Sequence, residues 1–194
     1  EQIAATRPDV VVLTRAMMDQ LGRPLEAIGI PVVAVDLETP EQYRQGLIAL
    51  GDLMGNPARA EAIWAFYQSR LDRVAAALEG VEEAGRPRAL LLQHSSQGSE
   101  VTLEMPSAAW IQTIEVELAG CTPVWKEAAQ GGGWKVVNLE QIAAWDADKL
   151  FIIDYQQDPS EVVAGLKKDP QWSALRAVQA EEIYGFPGDY INWG

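Results

Sequence analysis

The sequence predicts an α/β chain of two lobes, each built on parallel strands, joined by a long helix. Three observations predict it. Short, continuously apolar runs alternate with helix-length connections, an apolar helical stripe runs through the middle of the chain, and a five-residue pattern from the start recurs at residue 140.

The first strand is read at Val10 to Leu13, a β-branched run after Pro8 and Asp9. A helical stretch around Met17 to Ala27 and a second run, Pro31 to Asp36, complete a β-α-β unit. Short apolar strands with a helical crossover favour a parallel sheet covered on both faces. Thr39-Pro40-Glu41-Gln42 then combines a cap, a proline suited to the first helical position and a glutamine able to return a bond to the cap. The helix that starts there is interrupted at Gly55-Asn56-Pro57, which repeats the start signal. Apolar residues follow at Ala60, Ile63, Trp64, Tyr67, Leu71, Val74 and Leu78, spacings of three and four that define one helical face. From Pro57 to Glu79 such a helix is roughly 34 Å long at about 1.5 Å per residue, enough to link two lobes.

Gly80 to Pro87 reads as a turn, and the lobe boundary is placed there. The chain then divides into residues 1–38 (first α/β lobe), 39–86 (linking helices) and 87–194 (second α/β lobe). The second lobe opens with a strand, Ala89 to Gln93, followed by a polar loop from His94 to Glu100. A helix around Ala108 to Ala119, another from Leu139 to Trp145 and a strand from Leu150 to Ile153 come next. Asp158-Pro159-Ser160-Glu161 opens a helix that stops before Asp169-Pro170.

Glu1-Gln2-Ile3-Ala4-Ala5, then Pro8-Asp9 and Val10 to Leu13, matches Glu140-Gln141-Ile142-Ala143-Ala144, then Ala147-Asp148 and Leu150 to Ile153. Each copy reads as a short helix opened by a glutamate, which the helix dipole favours, then a turn and a buried strand. Convergence of helix-turn-strand units is one explanation. The other is a pseudo-symmetric molecule with a cleft between its halves, where ligands usually bind.

A formal charge of −13 repels nucleic acid and anionic headgroups, so nucleic acid is excluded as an expected partner. The same charge serves solubility and also suits a partner that presents arginines or lysines. Cys121 is the single cysteine, which rules out an intrachain disulfide and is read as a small core residue. No basic-then-apolar leader precedes Glu1, so an exported form is expected to have lost its signal. No nucleophile elbow, zinc-protease helix, phosphate loop or cysteine pair is present. No enzyme activity, no cofactor and no protein-built metal site are expected.

Both copies of the Glu-x-Ile-x-Ala pattern, the stretch Leu50 to Leu78 with Gly51, Leu53, Gly55, Arg59, Ala60, Tyr67 and Val74, and the segment Asp169-Pro170-Gln171-Trp172 with Leu175, Ala177-Val178 and Ile183-Tyr184 resemble one family. It is the helix-linked (class III) extracytoplasmic solute-binding proteins of ABC importers, the iron-siderophore, haem and cobalamin kind. The resemblance runs over nearly the whole chain. It implies two Rossmann-like lobes that bind a small-molecule metal chelate between them and deliver it to an ABC transporter permease. It places the protein in the periplasm or on the extracellular face of the cytoplasmic membrane, peripheral to it through the permease or a lost lipid anchor.

The resemblance also assigns residues. Glu1 and Glu140 are implied to dock on permease arginines, with helix capping as the structural alternative for Glu140 and a frayed terminus for Glu1. Trp134, ahead of the second-lobe helix, is implied to offer an aromatic face to a chelate or corrin ring, or else packs beneath Gly131-Gly132-Gly133. Thr14 and Arg15 follow the first strand where side chains enter the cleft, and Arg15 suits an anionic chelate or is a plain surface arginine. Tyr155 and His94 occupy the corresponding strand ends of the second lobe, where open α/β sheets place ligands. A lone histidine is also a common hydrogen-bonded loop residue.

The chain departs from the family by beginning inside the first-lobe motif and by ending at Asn192-Trp193-Gly194, short of a final helix. The first lobe is therefore expected to be incomplete, with an exposed sheet edge. Two alternatives remain. A molybdate or tungstate binder would use amides and hydroxyls such as Ser95 and Ser96. A chelatase or nitrogenase-like metallocofactor enzyme would bring His94, Glu100 and Glu104 within reach of one another.

Overall fold

The helix–turn–strand pattern read twice in the sequence folds twice in the computed structural model, which describes residues 2–98 and 100–186. In the first copy, helix α1 (Gln2–Ala5) ends at Arg7, whose φ of 49° is left-handed and whose N–H donates to Ala4 O at 3.1 Å. In the second, α6 (Leu139–Trp145) ends at Asp146, with φ of 44° and its N–H on Ala143 O, also at 3.1 Å. Strand β1 (Val11–Thr14) then pairs in parallel with β2 (Val32–Val35), and β7 (Lys149–Ile153) with β8 (Ile183–Gly185). Even the entry bond repeats: Val11 N–H donates to Pro31 O and Leu150 N–H to Glu182 O, each at 2.9 Å. A left-handed residue without glycine is uncommon, so its recurrence at equivalent places makes the repeat structural as well as textual.

The chain divides into two units, Glu1–Arg70 and Leu71–Gly194. In the first, the residues between β1 and β2 form a 3₁₀ turn (Arg15–Met17), a π turn (Met18–Gly22) and helix α2 (Arg23–Ala27). Gly22 leaves room there for the Met18 side chain, whose Sδ would lie 2.5 Å from a Cβ at that position. Helix α3 (Pro40–Leu53) starts at the expected cap, Thr39 Oγ1 accepting from Gln42 N. The Gln42 side chain accepts from Glu38 N, one residue ahead of the cap. Helix α4 (Pro57–Ala77) is the continuous rod predicted from the apolar stripe, and the division between the units falls within it.

The first unit's sheet is only β1 and β2, and the consequence shows in its packing. Among the described residues its buried hydrophobics are Leu25, Val35 and Ala60, while Ile28, Met54 and Phe66 are more than half exposed. The apolar run of β1 predicted cover on both faces; in fact Val11 and Leu13 are half-buried and Val12 and Thr14 exposed. The first lobe is incomplete, as expected.

The second unit carries a six-stranded sheet in the order β6-β4-β3-β7-β8, with β5 also on β3. Here β3 is Arg88–Gln97, β4 Glu100–Met105, β5 Thr122–Pro123 and β6 Lys135–Val136. Strands β5, β7 and β8 lie in the parallel part with β3, whereas β4 runs antiparallel to β3 and β6 to β4. The expected parallel sheet is thus mixed, and the loop expected from His94 to Glu100 is a hairpin. Its polar residues hid the strand, because beyond the core β3 no longer needs apolar cover. Leu90, Leu91, Leu92, Ile152, Ile153 and Trp125 are sealed at the centre of the core, and Trp125 Nε1 donates to Pro106 O.

Helix α5 (Ile111–Leu118) ends in a Schellman turn, with Gly120 N–H on Glu117 O and Cys121 N–H on Val116 O. Helix α7 (Pro159–Leu166) begins at Asp158, which caps Ser160 N, and α8 (Arg176–Gln179) precedes β8. Among the described residues no helix is long and apolar enough to cross a membrane.

Candidate functional site

Two of the sequence-predicted residues of the second unit, His94 and Tyr155, lie at the carboxyl end of β7 and the adjoining part of β3. The register that sets Gln93 beside Ile153 brings His94 to Asp154, the residue after β7. His94 Nδ1 lies 2.7 Å from Asp154 Oδ2, and the two side chains are 8% and 0% exposed. Asp154 Oδ1 accepts two further bonds, from Gln156 N at 2.7 Å and Gln157 N at 2.8 Å. Gln157 Nε2 donates to Ser96 Oγ at 2.8 Å, tying this turn to β3. Tyr155, 38% exposed, is carried on the same turn.

Burial alone would raise the Asp154 pKa. The bonds from His94, Gln156 and Gln157 outweigh burial and hold the carboxyl below its usual range. A buried carboxylate with three donors is satisfied, and leaving such a group short of one partner costs about 1–3 kcal/mol.

Asp154 was missed by the sequence reading. Its signal was its place in the repeat: the residue directly after the strand is Arg15 in the first copy and Asp154 in the second. Each side chain contacts a partner carried on another strand or strand end. Arg15 Nε lies 2.8 Å from Asp36 Oδ2, and Arg15 N–H bonds Asp36 Oδ1, just past β2. Arg15 and Asp36 line a recess of about 180 Å³ with Gln42 and Gln45 of α3. Thr14, exposed at the end of β1, stands beside this pair.

Trp134 is half-buried, immediately before β6, and packs edge-to-face on Trp110 with ring centroids 5.7 Å apart. The glycine loop ahead of it is tied down where the Ser107 hydroxyl donates to Gly131 O. Glu140 is exposed in the first turn of α6, yet the cap is Asn138, whose Oδ1 accepts from Gln141 N at 2.8 Å. Among the described residues Glu140 has no ion pair, so neither capping nor pairing accounts for it. Glu1 lies outside the described residues.

Two groupings considered from the sequence do not form. In the hairpin Gln93 faces Glu104 and Gln97 faces Glu100, so both glutamates share the face opposite to His94. Ser95 and Ser96 also point to opposite faces, so they cannot both serve one small oxyanion. Among the described residues no group of three or more His, Cys, Asp or Glu is placed to hold a metal ion.

The family model of the periplasmic binding proteins matches residues 1–190. The iron-uptake system-binding protein of Bacillus subtilis is 20% identical over 187 residues, 95% of this chain and 56% of that protein. Two solved structures share the fold. The molybdate periplasmic binding protein MolA of Haemophilus influenzae, bound to molybdate, has a TM-score of 0.81 at 18% identity, covering 100% of this chain and 62% of that one. The periplasmic haem-binding protein of Pseudomonas aeruginosa has a TM-score of 0.78 at 24% identity, covering 97% of this chain and 66% of that one. The chain spans a little over half the length of the curated relatives it matches. With its two units, its repeated helix–strand elements and a family match over nearly its full length, the chain belongs to the periplasmic binding protein family.

Proposed function

We propose that this chain is the extracytoplasmic substrate-binding component of an ABC importer, binding a metal chelate of the ferric siderophore, haem or cobalamin kind and delivering it to the permease. The observation that carries the reading is the family match over residues 1–190. It acts as a binder and carries out no chemistry on its cargo. It works in the periplasm or on the extracellular face of the cytoplasmic membrane, where relatives of this family act. The lobes are taken as residues 1–38 and 87–194, with 39–86 linking them.

Thr14 and Arg15 are the ligand residues of the first lobe, and His94, Trp134 and Tyr155 those of the second. Arg15 spends only its Nε and backbone N–H on Asp36, which leaves the guanidinium fork for an anionic chelate. Trp134 supplies aromatic area. Glu140, with Glu1, docks on permease arginines, and two separated carboxylates read orientation even though each exposed pair contributes only about 0–1 kcal/mol.

A second reading is a molybdate or tungstate carrier, favoured by the likeness to a molybdate-binding protein 24% identical over 214 residues. The alternating directions of Ser95 and Ser96 weigh against it.

Uptake tests the proposal. In cells that depend on this protein, Glu140→Lys is expected to lower uptake of the metal chelate about tenfold or more while the purified protein keeps its cargo affinity. Uptake equal to wild type removes Glu140 from the docking surface, and cells lacking the protein that import every chelate normally remove the transport role.

A further inference from the structure

We infer that Asp154 is a positioning residue, which fixes the chain's sole histidine in the Nδ1–H tautomer and with the same carboxylate sets the turn that carries Tyr155. The inference rests on the reading of His94 and Tyr155 as ligand residues, and deepens it.

An ionised carboxylate only accepts hydrogen bonds. With Asp154 Oδ2 at 2.7 Å, the proton of a neutral His94 ring sits on Nδ1, and Nε2 keeps its lone pair. Among the described residues Nε2 has no hydrogen-bond partner, and it is not among the sealed unpaired atoms, which are Arg86 Nε, Gln93 Oε1 and Gln112 Oε1. The ring keeps 8% of its side-chain surface exposed. An imidazole held by a carboxylate at one nitrogen is oriented and made more basic at the other, the arrangement that suits donation to a metal. The other oxygen, Oδ1, anchors Gln156 N and Gln157 N, and Gln157 in turn reaches Ser96, two residues from His94. One buried side chain thus pre-orders both candidate ligand groups before cargo arrives, lowering the ordering cost of binding. With no cluster of donors among the described residues, His94 adds one donor to a metal whose other positions the chelate fills.

Asp154→Asn separates positioning from simple support. Asn Oδ1 still accepts from Gln156 and Gln157, so the turn is kept. Its amide, standing where Oδ2 was, can only donate; Nδ1 must then accept and the ring proton moves to Nε2.

The experiment uses the complete, untagged, nitrogen-15-labelled protein at about pH 8, where an ordinary imidazole is neutral. One histidine makes the imidazole spectrum unambiguous. The probe is nickel(II) nitrilotriacetate, a metal chelate with open coordination positions, followed by paramagnetic broadening of the ring signals and by calorimetry. Wild type is expected in the Nδ1–H form and to bind the probe saturably. Asp154→Asn is expected in the Nε2–H form with affinity lowered about 10–100-fold, and His94→Ala without binding. An Nε2–H wild type, or an Asp154→Asn protein with unchanged tautomer and affinity, overturns the role of Asp154. Wild-type affinity in His94→Ala instead overturns the reading of His94 as a ligand residue, so the two failures are distinct.

Discussion

At the scale of single residues, the site depends on a carboxylate that the fold keeps ionised. Asp154 has a native pKa below its unfolded value near 4, so its contribution to stability is complete above that value and is lost as pH falls through the native one. Urea unfolding is expected to show wild type more stable than Asp154→Asn at neutral pH, with the gap closing as pH drops below about 4. A gap that stays constant with pH contradicts the account. The sequence singles out His94, Tyr155 and Arg15 because side chains just past apolar runs sit at the edge where open α/β sheets place ligands. It does not single out their partners. Asp154 reaches His94, and Asp36 reaches Arg15, only through strand register, which apolar runs do not specify. Trp134 was legible as an aromatic residue but not as the partner of Trp110, since that contact joins two loops.

At the scale of elements, helix starts were the clearest text. Thr39 and Asp158 cap as their sequences imply, because capping is local chemistry. The hairpin was the main error. A run such as His94-Ser95-Ser96-Gln97 lacks the apolar alternation of a strand, and its pairing with Glu100 to Leu103 is tertiary information. Helix ends carry their own signal at Gly120, where φ is +84° and a Cβ would lie 2.5 Å from Leu78 Cδ2. Gly120→Ala is expected to destabilise the chain by about 1–3 kcal/mol in urea unfolding, from left-handed strain and overpacking together. Gly132→Ala, with nothing within 4 Å of its Cβ, is the control and is expected to change stability by less than about 0.5 kcal/mol. Equal effects contradict the assignment of a close approach at Gly120.

At the scale of the whole molecule, the text repeat was the most informative feature. Five identities would mean little alone. The structure adds two left-handed turns, two parallel strand pairs and two matching entry bonds at equivalent places, none of which the residue types at Arg7 and Asp146 announce. The pairing of β3 with β7, 60 residues apart in the chain, is beyond local patterning, yet helix, turn and strand lengths were enough to locate both copies of the repeat. Cargo was the least legible property, because it depends on which side chains line a pocket rather than on how the chain folds. Native mass spectrometry of the complete mature protein with ferric siderophores, haem, cobalamin and molybdate tests the central claim most directly. One metal chelate is expected to be retained in a one-to-one complex; retention of none, or of molybdate alone, contradicts a metal-chelate carrier.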